Sequence, residues 1–165
     1  MTSLFPLDIE TLARLLLDET RARGWRVATA ESCTGGLVVG ALTEIAGSSD
    51  VVDRSFITYS NRAKIEMLGV PGDLIADHGA VSEPVARAMA EGALTRSNAH
   101  LTVAITGVAG PGGGTAMKPV GLVHFATAAA NGPIRHREER IDLEDRAAIR
   151  LASVKTALEM LRERL

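Results

Sequence analysis

The sequence predicts an α/β domain in which helices cover both faces of a mixed, mostly parallel sheet of about five to six strands. Three observations carry this. Short apolar runs alternate with stretches of helical spacing through the earlier part of the chain. Two of those runs, Val27–Ala30 and Leu101–Ile105, read as buried strands that stop abruptly in polar or glycine-rich turns. Late in the chain, Val120–Ala128 and Ile134–Ile141 read as a hairpin turning near Asn131-Gly132.

Taken in order, Ile9, Leu12, Ala13, Leu15 and Leu16 lay a helical stripe from Asp8, placed to cap it, to Gly24, placed to stop it. The strand Val27–Ala30 follows and ends on Glu31, Ser32, Cys33 and Thr34. From Gly36 the spacing turns helical again, through Leu37, Gly40, Ala41 and Ile45. After a loop at Ala46–Asp50, Val51–Tyr59 reads as a strand on the bulk of Phe56, Ile57 and Tyr59. Ala63, Lys64, Met67 and Leu68 then mark a helix broken by Gly69-Val-Pro-Gly72, and a short segment, Asp73–Asp77, leads to the turn His78-Gly79. Ser82 stands where it caps the next helix, with Pro84 in its first turn, where a missing N–H costs nothing. In that helix Val85, Met89 and Ala93 face the core, and Gly92 permits close packing. The strongest periodic signal is the last helix, Leu143 to Leu165 through Ala147, Leu151, Val154, Leu158 and Leu161.

At 165 residues the chain is one domain, 1–165, long enough to bury a core. Aromatics make up only 3%, so that core is aliphatic. The formal net charge is −2 and the basic residues are dispersed, which offers nucleic acid no footprint. A single cysteine, Cys33, excludes an internal disulfide and a multi-cysteine zinc site. The N-terminus lacks a secretory pattern and no apolar run is long enough to span a membrane, so the expectation is a cytoplasmic protein. One apolar face of the last helix is available to a partner subunit, and a homodimer or other homo-oligomer is expected.

Three loops follow strands, and in such sheets ligands gather at the carboxyl ends of strands. The first, Glu31-Ser-Cys-Thr34, lies where a strand feeds a helix and free N–H groups point outward. The ordinary role of a Ser or Thr there is an N-cap, and this stretch alone favours it. The second, Tyr59–Lys64, supplies an amine that is either a solvated surface charge or, beside Ser32, a base. Bringing a lysine from about 10.4 to about 7–8 needs roughly 3–5 kcal/mol of bias against the charged form. Burial and helix N-termini are the available sources. The third, Thr106–Thr115, has five glycines within Gly107–Gly114. It matches neither a Walker A loop nor a dinucleotide fingerprint. It fits an anion nest for a phosphate-bearing ligand, or a flexible loop.

Together Thr29-Ala-Glu-Ser-Cys-Thr-Gly-Gly36, Thr58-Tyr-Ser-Asn-Arg-Ala-Lys64, Leu68-Gly-Val70, His78-Gly-Ala-Val-Ser82, Ala90-Glu-Gly-Ala93, Ala104–Thr115 and Lys118-Pro-Val-Gly121 closely resemble the CinA C-terminal-domain family. The likeness runs in order from about Asp8 to the C-terminus. It implies a three-layer α/β/α fold and, for stand-alone members, a nicotinamide-nucleotide amidase. Such an enzyme hydrolyses nicotinamide mononucleotide to nicotinate mononucleotide and ammonia. It also implies a serine–lysine pair, with no metal and no cofactor: Ser32 as nucleophile and Lys64 as base. Tyr59, Asn61 and Thr106 would line the site, with Thr34 and Gly35 at the substrate beside Ser32, while Glu31 either orients substrate or bonds backbone. Gly107, Gly110, Gly112 and Gly113 would hold the nucleotide. The family's Phe-x-Gly-Asp-Arg segment is here Ile141–Arg146, with Glu144 in place of glycine, which keeps Arg146 but changes the turn before it. Many relatives carry this domain behind a larger N-terminal one.

A carboxamide hydrolase needs a nucleophile, a base that later returns a proton to ammonia, and donors for the oxyanion. Cys33 is the rival nucleophile, with Ser32 preferred and Cys33 packed beneath it. His78 and His124 read as structural, and His100 and His136 as surface residues at strand edges. The competing function is a regulatory module that keeps the nucleotide pocket but does not turn over.

Overall fold

The computed structural model describes residues 2–165. Its helices are α1 (Leu7–Ala22), α2 (Leu37–Thr43), α3 (Asn61–Leu68), α4 (Gly72–His78), α5 (Glu83–Thr95) and α6 (Arg146–Arg162). Its strands are β1 (Val27–Glu31), β2 (Val52–Ile57), β3 (Leu101–Gly107), β4 (Leu122–Ala129) and β5 (Arg135–Arg140). They form one five-stranded sheet in the order β2-β1-β3-β4-β5. The pairs β1–β2 and β1–β3 are parallel, while β4 runs antiparallel to both its neighbours.

Two apolar clusters, one on each face, make this a three-layer α/β/α sandwich. On one face Val27, Val103, Ile105, Val123 and Phe125 pack with Leu16 and Leu17 of α1, Val38 and Leu42 of α2, and Val154, Leu158 and Leu161 of α6. On the other, Ala30, Ala104, Ala126 and Ala128 meet Val85, Met89 and Ala93 of α5 and Leu68 of α3. The alternation of strand side chains between faces assigns each residue to its layer. The alanines on the second face let α5 lie close to the sheet, and Gly92 touches the backbone of Leu68 too closely for any side chain. β5, an edge strand, reads Arg-His-Arg-Glu-Glu-Arg, charge that discourages pairing with another sheet. Among the described residues no helix is long and apolar enough to cross a membrane.

Several boundaries differ from the expectation. α6 starts at Arg146, three residues after Leu143, because the Asp145 side chain accepts the Ala148 N–H (2.9 Å) and caps it there. Its buried face runs through Ile149, Ser153, Val154, Ala157, Leu158 and Leu161, while Leu143 and Ala147 are exposed. Apolar residues lie nearly all round this helix, so spacing alone does not choose the face that meets the sheet. Pro6, not Asp8, holds the N-cap position of α1. Asp73–Asp77 lies within a helix of its own, α4. Ser82 stands at the N-cap position of α5, yet its hydroxyl donates back to the Gly79 carbonyl (2.8 Å). His136 is not a free surface residue: its ring stacks on His124, with Nε2 2.9 Å from the His124 Nδ1.

Candidate active site

The sheet's connections diverge at β1 and β3. From β1 the chain leaves through α2 toward β2; from β3 it leaves through the glycine loop toward β4. Such a divergence opens a crevice at the carboxyl ends of the two strands. Ser32 sits at its floor, its N–H donating to Ile105 O (3.0 Å) just beyond the paired residues of β1.

Gly36 holds the N-cap position of α2, and the side chain that satisfies the first N–H groups is that of Glu31, not Ser32 or Thr34. The Glu31 carboxylate is fully buried and accepts the N–H groups of Gly36, Val38 and Val39 at 2.9–3.1 Å. It also accepts the hydroxyls of Thr29 (2.9 Å) and Thr34 (2.7 Å). A carboxylate at a helix N-terminus satisfies otherwise orphaned donors and complements the helix dipole. The Ser32 hydroxyl is thereby left without a capping role.

That hydroxyl meets Lys64 instead. Lys64 Nζ lies 2.9 Å from Ser32 Oγ and donates to the carbonyls of Thr58 (2.7 Å) and Tyr59 (3.3 Å). Ser60 caps α3 by accepting the Ala63 N–H, which sets Lys64 in the first turn and turns it inward. Lys64 is only 1% exposed, although it is a lysine. Burial disfavours its charged form and pushes its pKa down to about 8. As an ammonium it has three N–H groups for three acceptors. After losing one proton it keeps two for the carbonyls and turns a lone pair to Ser32, whose hydroxyl becomes the donor.

In front of Ser32 lies a cavity of about 310 Å³ lined by Ser32, Cys33, Tyr59, Arg146 and the glycine loop at Gly107–Gly110, Gly112 and Gly113. Among the described residues the backbone N–H groups of Ala109, Gly110, Gly112, Gly113 and Gly114 meet no intramolecular acceptor, as an anion nest requires. Arg146, at the start of α6, donates to Gly110 O (2.6 Å) and to the Tyr59 hydroxyl (3.3 Å). It joins the second and third loops and adds a positive charge. A larger cleft of about 470 Å³ lies against α3, α4 and α5 but has no Ser, Cys, Lys or His in its lining.

Not every residue expected at the substrate is there. Glu31 and Thr34 bond to each other beneath the floor and present nothing to the cavity. The Thr106 hydroxyl is committed to Ala80 O (2.9 Å). Gly35 and the exposed Asn61 also lie outside the lining. Cys33 borders the cavity, yet its side chain belongs to the apolar cluster on the α6 side, where burial pushes its thiol up to about 11. A thiol so protonated is a poor rival to Ser32. Among the described residues no group of three or more His, Cys, Asp and Glu side chains is gathered as metal ligands would be. Arg150, absent from the sequence expectation, donates from α6 to Cys33 O (3.0 Å) and Thr34 O (3.2 Å). Its four-residue spacing from Arg146, which puts both on one face of the helix, was the signal available.

The model of the CinA C-terminal domain matches residues 9–165. The chain belongs to this family. It is 55% identical over 142 residues to a CinA-like protein of Mycobacterium sp. (strain JLS), covering 86% of this chain and 34% of that one. With a CinA-like protein of Syntrophobacter fumaroxidans it shares 50% over 154 residues, 92% of this chain and 35% of the relative. The chain thus spans about a third of the length of these curated relatives. Among solved structures, the competence/damage inducible protein CihA of Agrobacterium tumefaciens superposes with a TM-score of 0.97 at 59% identity, covering 98% of both chains. A CinA superfamily protein of Escherichia coli superposes with a TM-score of 0.91 at 34% identity, covering 99% of this chain and 95% of that one.

Proposed function

We propose that this CinA-family domain is an amidohydrolase that converts nicotinamide mononucleotide to nicotinate mononucleotide and ammonia. The observation that carries the reading is the 2.9 Å contact between Ser32 Oγ and the buried Lys64 amine. A serine hydroxyl is a weak nucleophile until an adjacent base takes its proton. With a pKa near 8, Lys64 is partly neutral at physiological pH and still basic enough for proton transfer.

In this mechanism the Lys64 lone pair accepts the Ser32 proton as Oγ attacks the carboxamide carbon. The negative charge on the former carbonyl oxygen calls for nearby donors, each typically worth about 3–4 kcal/mol in the barrier. The N–H groups of Cys33 and Thr34, without acceptors among the described residues, are the donors nearest in sequence to Ser32. The Lys64 ammonium then passes its proton to the departing nitrogen, ammonia leaves, and an ester to Ser32 remains. Water, deprotonated by Lys64, attacks the ester and restores the serine. The nucleotide phosphate is assigned to Arg146 and the free N–H groups of the glycine loop. Binding at that distance from the reacting carbon is spent on orientation.

The test is ammonia release from nicotinamide mononucleotide by the wild type, Ser32→Ala and Lys64→Ala. The reading requires turnover by the first and its loss in both variants. Tight nucleotide binding without turnover by the wild type would instead identify a regulatory module. Full activity in Lys64→Ala would remove Lys64 as the base.

A further inference from the structure

The turn that carries Ser32 is held from two sides. Three of its N–H groups are engaged, Ser32 N–H by Ile105 O of β3, Gly35 N–H by Ser32 O and Gly36 N–H by Glu31, while those of Cys33 and Thr34 meet no acceptor among the described residues. Its acceptors are taken from α6. Arg150 Nε donates to Cys33 O (3.0 Å) and Arg150 Nη2 to Thr34 O (3.2 Å). Thr34 O has a second partner, the Leu37 N–H (3.0 Å). For Cys33 O, Arg150 is the partner found among the described residues.

A guanidinium is a planar fork with fixed donor directions. Two consecutive carbonyls on one edge of that fork fix the orientation of two consecutive peptide planes. Because a trans peptide is planar, with C=O and N–H on opposite edges, aiming Cys33 C=O at Arg150 aims the Thr34 N–H away from it. The following residue is shaped to the same contact. Gly35 has φ +56°, and a Cβ there would lie 3.3 Å from Arg150 Nη2. One turn earlier on α6, Arg146 holds Gly110 O and the Tyr59 hydroxyl. A single helix therefore registers the serine turn against the glycine loop.

We infer that Arg150 is a positioning residue for the reaction at Ser32: by gripping the Cys33 and Thr34 carbonyls it orients the backbone that presents the hydroxyl. The inference rests on the reading of Ser32 as nucleophile. It assigns Arg150 no contact with the substrate. Its loss therefore lowers kcat and leaves KM nearly unchanged, and misplacement of a reacting group by about 1 Å costs on the order of 100-fold.

The experiment uses the full chain as wild type, Arg150→Ala, Arg150→Lys and Ser32→Ala, with two readouts. One is steady-state ammonia release from nicotinamide mononucleotide. The other is the rate at which a fluorophosphonate labels Ser32, which needs no nucleotide. Arg150→Ala is expected to lose kcat by about 100-fold with KM within about threefold, and to label correspondingly slowly. Arg150→Lys, able to reach one carbonyl at a time, is expected to fall between it and the wild type. Guanidinium ion well below denaturing concentration is expected to recover part of the Arg150→Ala rate and none of the Ser32→Ala rate. Unchanged kcat and labelling in Arg150→Ala would overturn the inference, as would a rise in KM alone. If Arg150→Ala does not fold, wild-type rates in Arg150→Lys would overturn it equally. A wild type that labels at Ser32 without releasing ammonia would refute the amidase reading alone. Slower labelling in Arg150→Ala would then still support the positioning role. A wild type that does neither overturns both.

Discussion

The Glu31 carboxylate and the Thr34 hydroxyl, 2.7 Å apart, form the buried centre of the turn that displays Ser32 between them. Two N–H groups of α2, that of Gly36 just before it and a second threonine hydroxyl converge on the same carboxylate. Every one of these partners donates. In Glu31→Gln one oxygen becomes an NH₂ that faces donors. Hydrogen bonds to a charged group are worth about 1.5–3 kcal/mol each, and relaxation recovers part of what is lost. The expected destabilisation is about 3 kcal/mol in denaturant unfolding, with lost activity in whatever fraction still folds.

The activity should follow the ionisation of Lys64. In the proposed mechanism its neutral form is the base, and burial lowers its pKa to about 8. kcat/KM is therefore expected to rise tenfold per pH unit below about 8 and to level off above it. A pH–rate profile for nicotinamide mononucleotide checks this. A profile already flat well below that value would point to another base.

Gly92 marks the closest approach of α5 to α3. A methyl group added there would run into the Leu68 carbonyl oxygen, which is backbone and cannot swing aside. Gly92→Ala is expected to destabilise the domain by about 1–3 kcal/mol despite alanine's better helix propensity. Thermal or urea unfolding measures it. A stabilised variant would mean that α5 is free to shift on the sheet.

His124, buried, and His136, partly buried, form a second polar pair, far from Ser32 in sequence. Both have lowered pKa values: burial is the largest cause for each, and the neighbouring His136 adds to it for His124. Glu83 and Glu138 oppose the shift for both; Arg87 deepens it for His136 and Lys118 for His124. The folded state thus binds these protons less tightly than the unfolded chain does. Stability is full above about 6.5, the unfolded value, and falls as pH drops from there toward the depressed folded values. Urea midpoints between about pH 7.5 and pH 5 are expected to decline, with a shallower decline in His136→Gln. Equal slopes in the two proteins would remove the pair as the cause.

Much of this was legible in the sequence, for reasons that can be named. Val27–Ala30 and Leu101–Ile105 are short, apolar and bounded by turn residues, so their strands follow from local pattern. The close packing at Gly92 was readable because a glycine within a good helix has little other purpose. The family likeness, carried by residues spread along the chain, pairs Ser32 with Lys64, and the two lie 2.9 Å apart.

Composition and periodicity by themselves determined the alternation of helices and strands, the aliphatic core and the three loops at one end of the sheet. These depend on neighbours a few residues apart. Only the tertiary structure decided that Glu31 and Thr34 brace the turn from below, that Arg150 grips it from α6, and which face of α6 meets the sheet. It also supplied the reason behind the sequence's preference for Ser32, on the cavity floor, over Cys33: apolar surroundings keep that thiol protonated. The physical reason is that hydrogen-bond partners and desolvation come from segments distant in sequence. Arg150 lies 117 residues from the carbonyl it holds, and Lys64 lies 32 from the hydroxyl it meets.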